Sequence, residues 1–272
     1  MKFEKIKIEA EGAANAWLAL YAQESYPETY GNRKRPLILI CPGGGYEHVS
    51  VREGEPIALQ FLAAGAHAAV LWYDVGAGME HPLQLMELAW AVSHIREHAD
   101  DYAVDKDKII VAGFSAGGHL AASLGCFWDK DWLSQAVGKD KGCYKPNGLI
   151  LAYPVITFGS HAHRGSFEKL MGSKASDELA ELLSLEHQVT EQVPPVFMWH
   201  TFEDASVPLE NSLLFAEALR KAGVSLEYHV FPHGIHGLSL ATEETTMSDK
   251  DATDPQCAQW VLLCGSWLRY NF

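Results

Sequence analysis

A serine between two glycines, a glycine triplet, an aspartate ahead of a Val-Pro pair and a histidine on a glycine-flanked turn could together do chemistry in this chain. Gly113-Phe114-Ser115-Ala116-Gly117 reads G-x-S-x-G. Ile109-Ile110-Val111-Ala112 ahead of it is a short apolar run, and residues 116–124 behind it are small and apolar, which suits a buried helix. A serine on such a strand-to-helix turn takes strained backbone angles and projects its hydroxyl. Glycines two residues away on either side remove side chains that would collide in the turn. The helix that starts at Ala116 offers free N–H groups and a positive dipole end to developing negative charge. That arrangement suits nucleophilic attack on a carbonyl.

Acyl transfer places negative charge on the carbonyl oxygen, and backbone N–H groups must meet it. Pro42-Gly43-Gly44-Gly45-Tyr46 follows the run Leu37-Ile38-Leu39-Ile40-Cys41, and its glycines allow close main-chain approach. The expected donors are the N–H groups of Gly44, Gly45 or Tyr46, together with that of Ala116. The competing readings are a plain glycine turn or a phosphate-binding loop; the G-x-G-x-x-G spacing is missing and no Walker lysine follows. In His200-Thr201-Phe202-Glu203-Asp204-Ala205-Ser206-Val207-Pro208, Asp204 is the expected acid, holding a histidine tautomer and stabilising the imidazolium, with Glu203 as its neighbour and competitor. In Pro232-His233-Gly234-Ile235-His236-Gly237, His236 is the expected general base and His233 the competitor. His119, inside the helix after the serine, reads as a packed residue. The order Ser, Asp, His along the chain is that of the α/β-hydrolases and differs from the chymotrypsin and subtilisin orders.

Parallel strands must carry these groups. Apolar runs at 37–41, 68–73, 109–112, 149–153, 196–199 and 226–231 are bounded by glycine or proline, as strands buried on both faces are. Helical spacing falls between them, over 82–99, 116–124, 211–222 and 259–270. Alternating strands and helices imply an α/β fold with a mostly parallel sheet covered on both faces. Residues 1–30 are expected to add antiparallel edge strands. One domain over 1–272 accommodates all of this, with two longer connections at about 126–147 and 157–192, the second with helical spacing at 176–185. Connections of that length in a compact domain are candidate lids.

Composition narrows the partners. The formal net charge is -14, with 21 Lys and Arg against 35 Asp and Glu. Nucleic acids and anionic membranes recruit clustered cations, so neither is an expected partner. No apolar stretch is long enough for a transmembrane helix, and the start MKFEKIKIEAEGA has no continuous apolar core like that of a signal peptide. Cys41, Cys126, Cys143, Cys257 and Cys264 are odd in number and irregularly spaced, which reads as reduced thiols in a cytoplasmic protein. No cofactor is called for. His161-x-His163 lacks a third ligand, so no metal site is expected either. The sequence leaves a homo-oligomer open.

The stretches CPGGGY, GFSAGGHLAASL, LAYPVIT, HRGSFEKLMG, WHTFEDASVPLENSLLFAEALRKAG and FPHGIHGLSLA together resemble the acetylesterase and acetyl-xylan-esterase-like (BD-FAE-like) branch of the α/β-hydrolases, from about residue 36 onward. The resemblance implies an α/β-hydrolase fold with Ser115 as nucleophile, Asp204 as acid and His236 as base. It also implies Gly44, Gly45 and Ala116 around the oxyanion, and small acyl groups such as acetyl on sugar hydroxyls as substrates. One position departs from the branch: Tyr73 is followed by Asp74 where an arginine is common. The expected activity is a serine carboxylesterase acting on a small-molecule ester through an acyl-enzyme. The alternatives are a prolyl-oligopeptidase-like peptidase and a catalytically silent hydrolase fold used for binding. Trp128, Trp132 and Trp199 offer either sugar-stacking surfaces or packing.

Overall fold

The computed structural model describes residues 1–24, 26, 28, 33–246 and 253–272. Eight strands form one sheet: β1 (Lys2–Lys7), β2 (Trp17–Ala22), β3 (Arg35–Cys41), β4 (His67–Trp72), β5 (Val104–Phe114), β6 (Gly148–Ala152), β7 (Val196–Thr201) and β8 (Leu226–Phe231). Their spatial order is β1-β2-β4-β3-β5-β6-β7-β8. β1 pairs antiparallel with β2, and β2 with β4, while every pairing from β4 to β8 is parallel. The expected antiparallel edge is present; residues 25, 27, 29 and 30 of that stretch lie outside the described residues.

The central runs are apolar throughout because each strand feeds two cores. In β3, Leu37, Leu39 and Cys41 face one layer, and Ile38 and Ile40 face the other. Ile109 and Val111 alternate in the same way with Ile110, Ala112 and Phe114 in β5, and Val196 and Met198 with Phe197 and Trp199 in β7. Strands buried on both faces need both layers of cover. On one face lie α1 (Glu55–Ala63) and a closing helix near the chain end. On the other lie α2 (Leu83–Glu97), α3 (Ala116–Phe127), α4 (Asp131–Val137), α5 (Lys141–Tyr144), α6 (Arg164–Met171), α7 (Asp177–Leu183) and α8 (Glu210–Lys221). The closing helix, α9 (Trp260–Asn271), is anchored by Trp260, which is fully buried and stacks on Trp199 at 5.4 Å between ring centroids. Such a pair contributes about 1 kcal/mol beyond the area it buries.

Two features of the topology position the site. β4 lies on one side of β3 and β5 on the other, so the connections leaving β3 and β5 diverge and open a crevice at the strand carboxyl ends. The glycine loop follows β3 and the serine follows β5, so both face that crevice. α3 then packs hard against the end of β3, where a β-carbon on Gly117 would overlap the carbonyl oxygens of Cys41 and Pro42. The second glycine of the serine motif is therefore required by helix–strand approach.

The two long connections part company. Segment 126–147 leaves the far end of α3 and packs along α2 and beneath the sheet. Arg96 donates to the carbonyls of Cys143 and Lys145. Asn147 Oδ1 accepts from Ile109 N at the lower part of β5, and Trp128 Nε1 donates to Gln192 O ahead of β7. Helix α3 carries the chain away from Ser115 before this segment begins, and Trp132 within it packs on His81. Segment 157–192 stays at the carboxyl ends and holds α6 and α7, the latter capped by Ser176 Oγ, which accepts from Leu179 N at 3.1 Å.

Candidate active site

Ser115 is the hinge between β5 and α3. Its backbone sits at φ 54° and ψ -119°, a region that costs a non-glycine residue about 1–3 kcal/mol. The turn is held from both sides: Ser115 N donates to Ala152 O at 3.0 Å, and Val155 N donates to Ser115 O at 3.0 Å. The structure therefore fixes the serine against the end of β6, with its hydroxyl pointing into the crevice.

His236 meets it there. Ser115 Oγ lies 2.8 Å from His236 Nε2, and His236 Nδ1 lies 2.6 Å from Asp204 Oδ2. Each of the three expected groups thus touches the next, although His236 is 121 residues from the serine and 32 from the aspartate. Asp204 has both oxygens engaged. Oδ1 accepts from the N–H groups of Ser206 and Val207 at 3.0 and 2.9 Å, and Oδ2 takes His236 and, at 3.2 Å, His200 Nε2. Burial alone would raise this carboxyl; the bonds from His200 and His236 outweigh it and hold the group well below the usual carboxylate range. An ionised Asp204 fixes the tautomer: Nδ1 of His236 donates to it, which leaves Nε2 free to accept from the serine hydroxyl.

The competitors fall away from this chain of contacts. Glu203 is exposed and pairs with His233 Nδ1 at 3.0 Å on the outer surface. His119 is buried between Tyr46 OH, 3.0 Å from Nδ1, and Leu183 O, 2.9 Å from Nε2; burial pushes its pKa down to about 4, so it stays neutral. His200 stands four residues before Asp204 and carries no motif of its own. Its Nε2 faces two acceptors, Asp204 Oδ2 and Val207 O, and its Nδ1 faces the Ser212 hydroxyl, so Nε2 carries the proton.

The glycine loop curls beside the serine. Gly43 N donates to Glu53 Oε2 at 2.7 Å, and Gly44 O accepts from Glu47 N and His48 N. Gly44, Gly45 and Tyr46 take φ values of 124°, 65° and 60°, the first two at glycine and the third at strain. Among the described residues, the N–H groups of Gly44, Gly45 and Tyr46 meet no protein acceptor, and Ala116 N is a first-turn donor of α3. The Tyr46 side chain turns inward to His119, so only its backbone is open to the crevice.

Helix α6 covers this loop. A β-carbon on Gly45 would stand 3.7 Å from Ser166 Oγ, and Ser166 Oγ is 2.8 Å from His163 Nδ1. Burial and the nearby His236 push the His163 imidazole down, so it presents a neutral ring toward the site. The sequence places Ser166 only inside a family-like stretch, and His163 there and in the pair His161-x-His163. The tryptophans are packing residues. Trp199 is fully buried, Trp132 packs on Phe127 and His81, and Trp128 carries the Lys145 ammonium over its ring. Asp74, at the position that departs from the branch, accepts from the N–H groups of Ala14 and Asn15 and ties the β1–β2 connection to the end of β4. No group of three or more metal-type ligands occurs among the described residues.

A mostly parallel sheet with a strained serine after β5, an aspartate after β7 and a histidine after β8 defines an α/β-hydrolase. Comparison with known proteins places the chain within that class: it belongs to the BD-FAE family, whose model matches residues 25–219. It is 41% identical over 214 residues to endo-1,4-beta-xylanase B of Butyrivibrio fibrisolvens, across 78% of this chain and 34% of that protein. It is 25% identical over 211 residues to the acetylxylan esterase of Xylanibacter ruminicola, across 75% of this chain and 41% of that protein. The chain therefore spans well under two thirds of these relatives. Among solved structures, the acetyl ester-xyloside bifunctional hydrolase of Caldicellulosiruptor lactoaceticus superposes with a TM-score of 0.82 at 34% identity, covering 98% of this chain and 96% of the other. The carboxylesterase Cest-2923 of Lactobacillus plantarum WCFS1 superposes with a TM-score of 0.88 at 31% identity, covering 99% and 98%.

Proposed function

We propose that this protein is a serine carboxylesterase that removes small acyl groups, acetyl foremost, from carbohydrate esters such as acetylated xylo-oligosaccharides. The observation that carries the reading is the unbroken contact chain Ser115–His236–Asp204, at 2.8 and 2.6 Å, on a strained strand-to-helix turn. His236 Nε2 takes the Ser115 proton as Oγ attacks the ester carbonyl, and Asp204 stabilises the imidazolium that forms. The oxyanion is met by Ala116 N–H and by an N–H of Gly44, Gly45 or Tyr46. The imidazolium then returns its proton to the leaving alcohol, and an acyl-serine remains. Water activated by the same histidine releases the acid.

The acetyl and carbohydrate parts of the reading lean on similar proteins, two of which are named for acetylxylan and xyloside. Five unpaired cysteines, four of them buried, suit a reducing compartment, and we place the enzyme in the cytoplasm on that ground. No helix among the described residues is long and apolar enough to cross a membrane.

The test is hydrolysis of p-nitrophenyl acetate, p-nitrophenyl butyrate and an acetylated xylo-oligosaccharide by wild type and Ser115→Ala. Acetate release from the aryl acetate and the sugar, with a silent variant, supports the whole reading. Cleavage of the aryl ester alone keeps the esterase and removes the carbohydrate. A Ser115→Ala variant as active as wild type would overturn the serine mechanism.

A further inference from the structure

Glu53 is the buried carboxyl beside the site that the mechanism above does not use. It is 3% exposed, and each of its oxygens holds a different loop. Oε2 accepts from Gly43 N at 2.7 Å, at the root of the glycine loop. Oε1 accepts from Tyr153 OH at 2.7 Å, and Tyr153 OH accepts in turn from Ser239 N at 3.0 Å, three residues beyond His236. The segment carrying Glu53 adds further ties to the same loop: Ser239 Oγ donates to Arg52 O at 2.7 Å, and Arg52 Nη2 donates to Gly237 O at 2.9 Å. The Tyr153 ring stands edge-on to the His236 imidazole at 5.1 Å between centroids. Burial and the adjacent Glu53 push the Tyr153 phenol well above its usual value, so the hydroxyl keeps its proton and donates.

The geometry of Gly43 adds a steric reason for this contact. A β-carbon there would come within 2.8 Å of Glu53 Oε2 and 2.9 Å of Ser115 Cβ. The carboxyl, the start of the glycine loop and the serine thus converge on one point. Two residues of the network are also strained, Tyr153 at φ 38° and Ser239 at φ 55°. Neither holds such a conformation unless its surroundings fix it.

We propose that Glu53 is a positioning residue that ties the glycine loop to the loop bearing His236, so that the oxyanion donors and the general base are held at Ser115 together. The inference rests on the serine-hydrolase reading and adds a group that never touches substrate. Its substitution lowers kcat and leaves KM nearly unchanged, because the loops carry transition-state contacts more than ground-state ones. A displacement of about 1 Å at such a site costs on the order of 100-fold in rate.

Glu53→Gln and Tyr153→Phe, singly and together, test it. A glutamine amide can accept from Gly43 N only by turning its NH2 toward Tyr153 OH, which then loses its acceptor. Phenylalanine keeps the ring and removes the hydroxyl that joins Glu53 Oε1 to Ser239 N, while the Arg52 ties to the histidine loop remain. Assays use p-nitrophenyl acetate well below the melting temperature of each variant, with active sites counted by a fluorophosphonate that labels Ser115. The expected result is a kcat per labelled site lowered roughly 30- to 100-fold for Glu53→Gln and about 5- to 10-fold for Tyr153→Phe, KM within threefold of wild type, and a double variant no worse than Glu53→Gln. Folded variants with wild-type kcat would overturn the proposal, as would losses in the two single variants that multiply in the double. If Glu53→Gln does not fold, Tyr153→Phe decides alone: an unchanged kcat refutes the tie. The serine-hydrolase reading is judged separately, by whether wild type is labelled and Ser115→Ala is not.

Discussion

Replacing Asp204 by asparagine changes one atom, and the structure says how far that change travels. Four donors converge on the carboxylate. Ser206 N and Val207 N meet Oδ1, and His236 Nδ1 and His200 Nε2 meet Oδ2. An amide has one acceptor oxygen and one donor nitrogen. The backbone N–H groups cannot become acceptors, so the amide oxygen must stay with Ser206 and Val207. The amide NH2 then faces both imidazoles. His236 can meet it only by moving its proton from Nδ1 to Nε2, and that proton then points at Ser115 Oγ. The base that should take the serine proton would carry one of its own. The expected loss in kcat is on the order of 10⁴, about 5.4 kcal/mol of transition-state stabilisation, with little change in KM. Leaving the buried donor network mismatched costs a further ~1–3 kcal/mol of stability. The measurement is kcat and KM on p-nitrophenyl acetate for Asp204→Asn beside Glu203→Gln, with urea midpoints for each. Glu203 is exposed and bonded to His233, so its variant should stay within about threefold of wild type. An Asp204→Asn enzyme within tenfold of wild type would refute the tautomer argument, and a silent Glu203→Gln would move the acid to the neighbouring carboxylate.

Two further outcomes follow from packing and burial. Gly117→Ala puts a methyl group against the carbonyls of Cys41 and Pro42, so α3 must move away from β3 and carry Ser115 and Ala116 N with it; we expect about 1–3 kcal/mol of destabilisation and roughly 100-fold lower kcat, read by urea unfolding and ester hydrolysis, and a fully active variant would show that the helix position is not critical. Burial pushes the Glu87 carboxyl up to about 9 from its usual 4.5. Its folded value is thus above its unfolded one, so the contribution to stability is complete below about pH 4.5 and is lost as pH rises toward 9, at up to about 1.4 kcal/mol per pH unit. Glu87→Gln should flatten that decline in urea midpoints taken at pH 5, 7 and 9, and parallel declines in the two proteins would show Glu87 to be ionised in the fold.

Much of the site was legible because each group stands beside a local constraint that only its own turn explains. Ser115 sits between glycines that α3 and β5 require, and Asp204 precedes the Ala205-Ser206-Val207 turn whose N–H groups cap its carboxylate. The central strands were legible because burial on both faces leaves no polar position to break the run. Elements with mixed exposure were harder. β5 begins at Val104, but Asp105, Lys106, Asp107 and Lys108 hide its first half from a hydrophobic pattern. α1 and α6 are absent from the sequence reading; α1 is only nine residues long, and α6 opens on Arg164-Gly165-Ser166 and carries charge through its middle. The lid expectation at 126–147 rests on length alone: length marks a connection as unusual but does not say at which end of the sheet it lies, and that depends on the intervening helix.

Glu53 was illegible for a deeper reason. It is one of 35 acidic residues, its neighbours Arg52 and Gly54 give it no motif, and its partners lie 10 and 100 residues away. What marks it is visible only in three dimensions. Six non-glycine residues hold positive φ among the described residues: Tyr46, Ala103, Ser115, Tyr153, Ser239 and Ala241. All but Ala103 belong to the loops that surround the serine. At about 1–3 kcal/mol each, that strain is a sizeable fraction of the stability of a folded domain and must be offset by contacts in the same place. The hydrogen bonds from Tyr153 and Gly43 to Glu53, and from Ser239 to Tyr153, are such contacts. The same few bonds that hold the donors and the base at Ser115 therefore also make the strained turns of this site affordable to the fold.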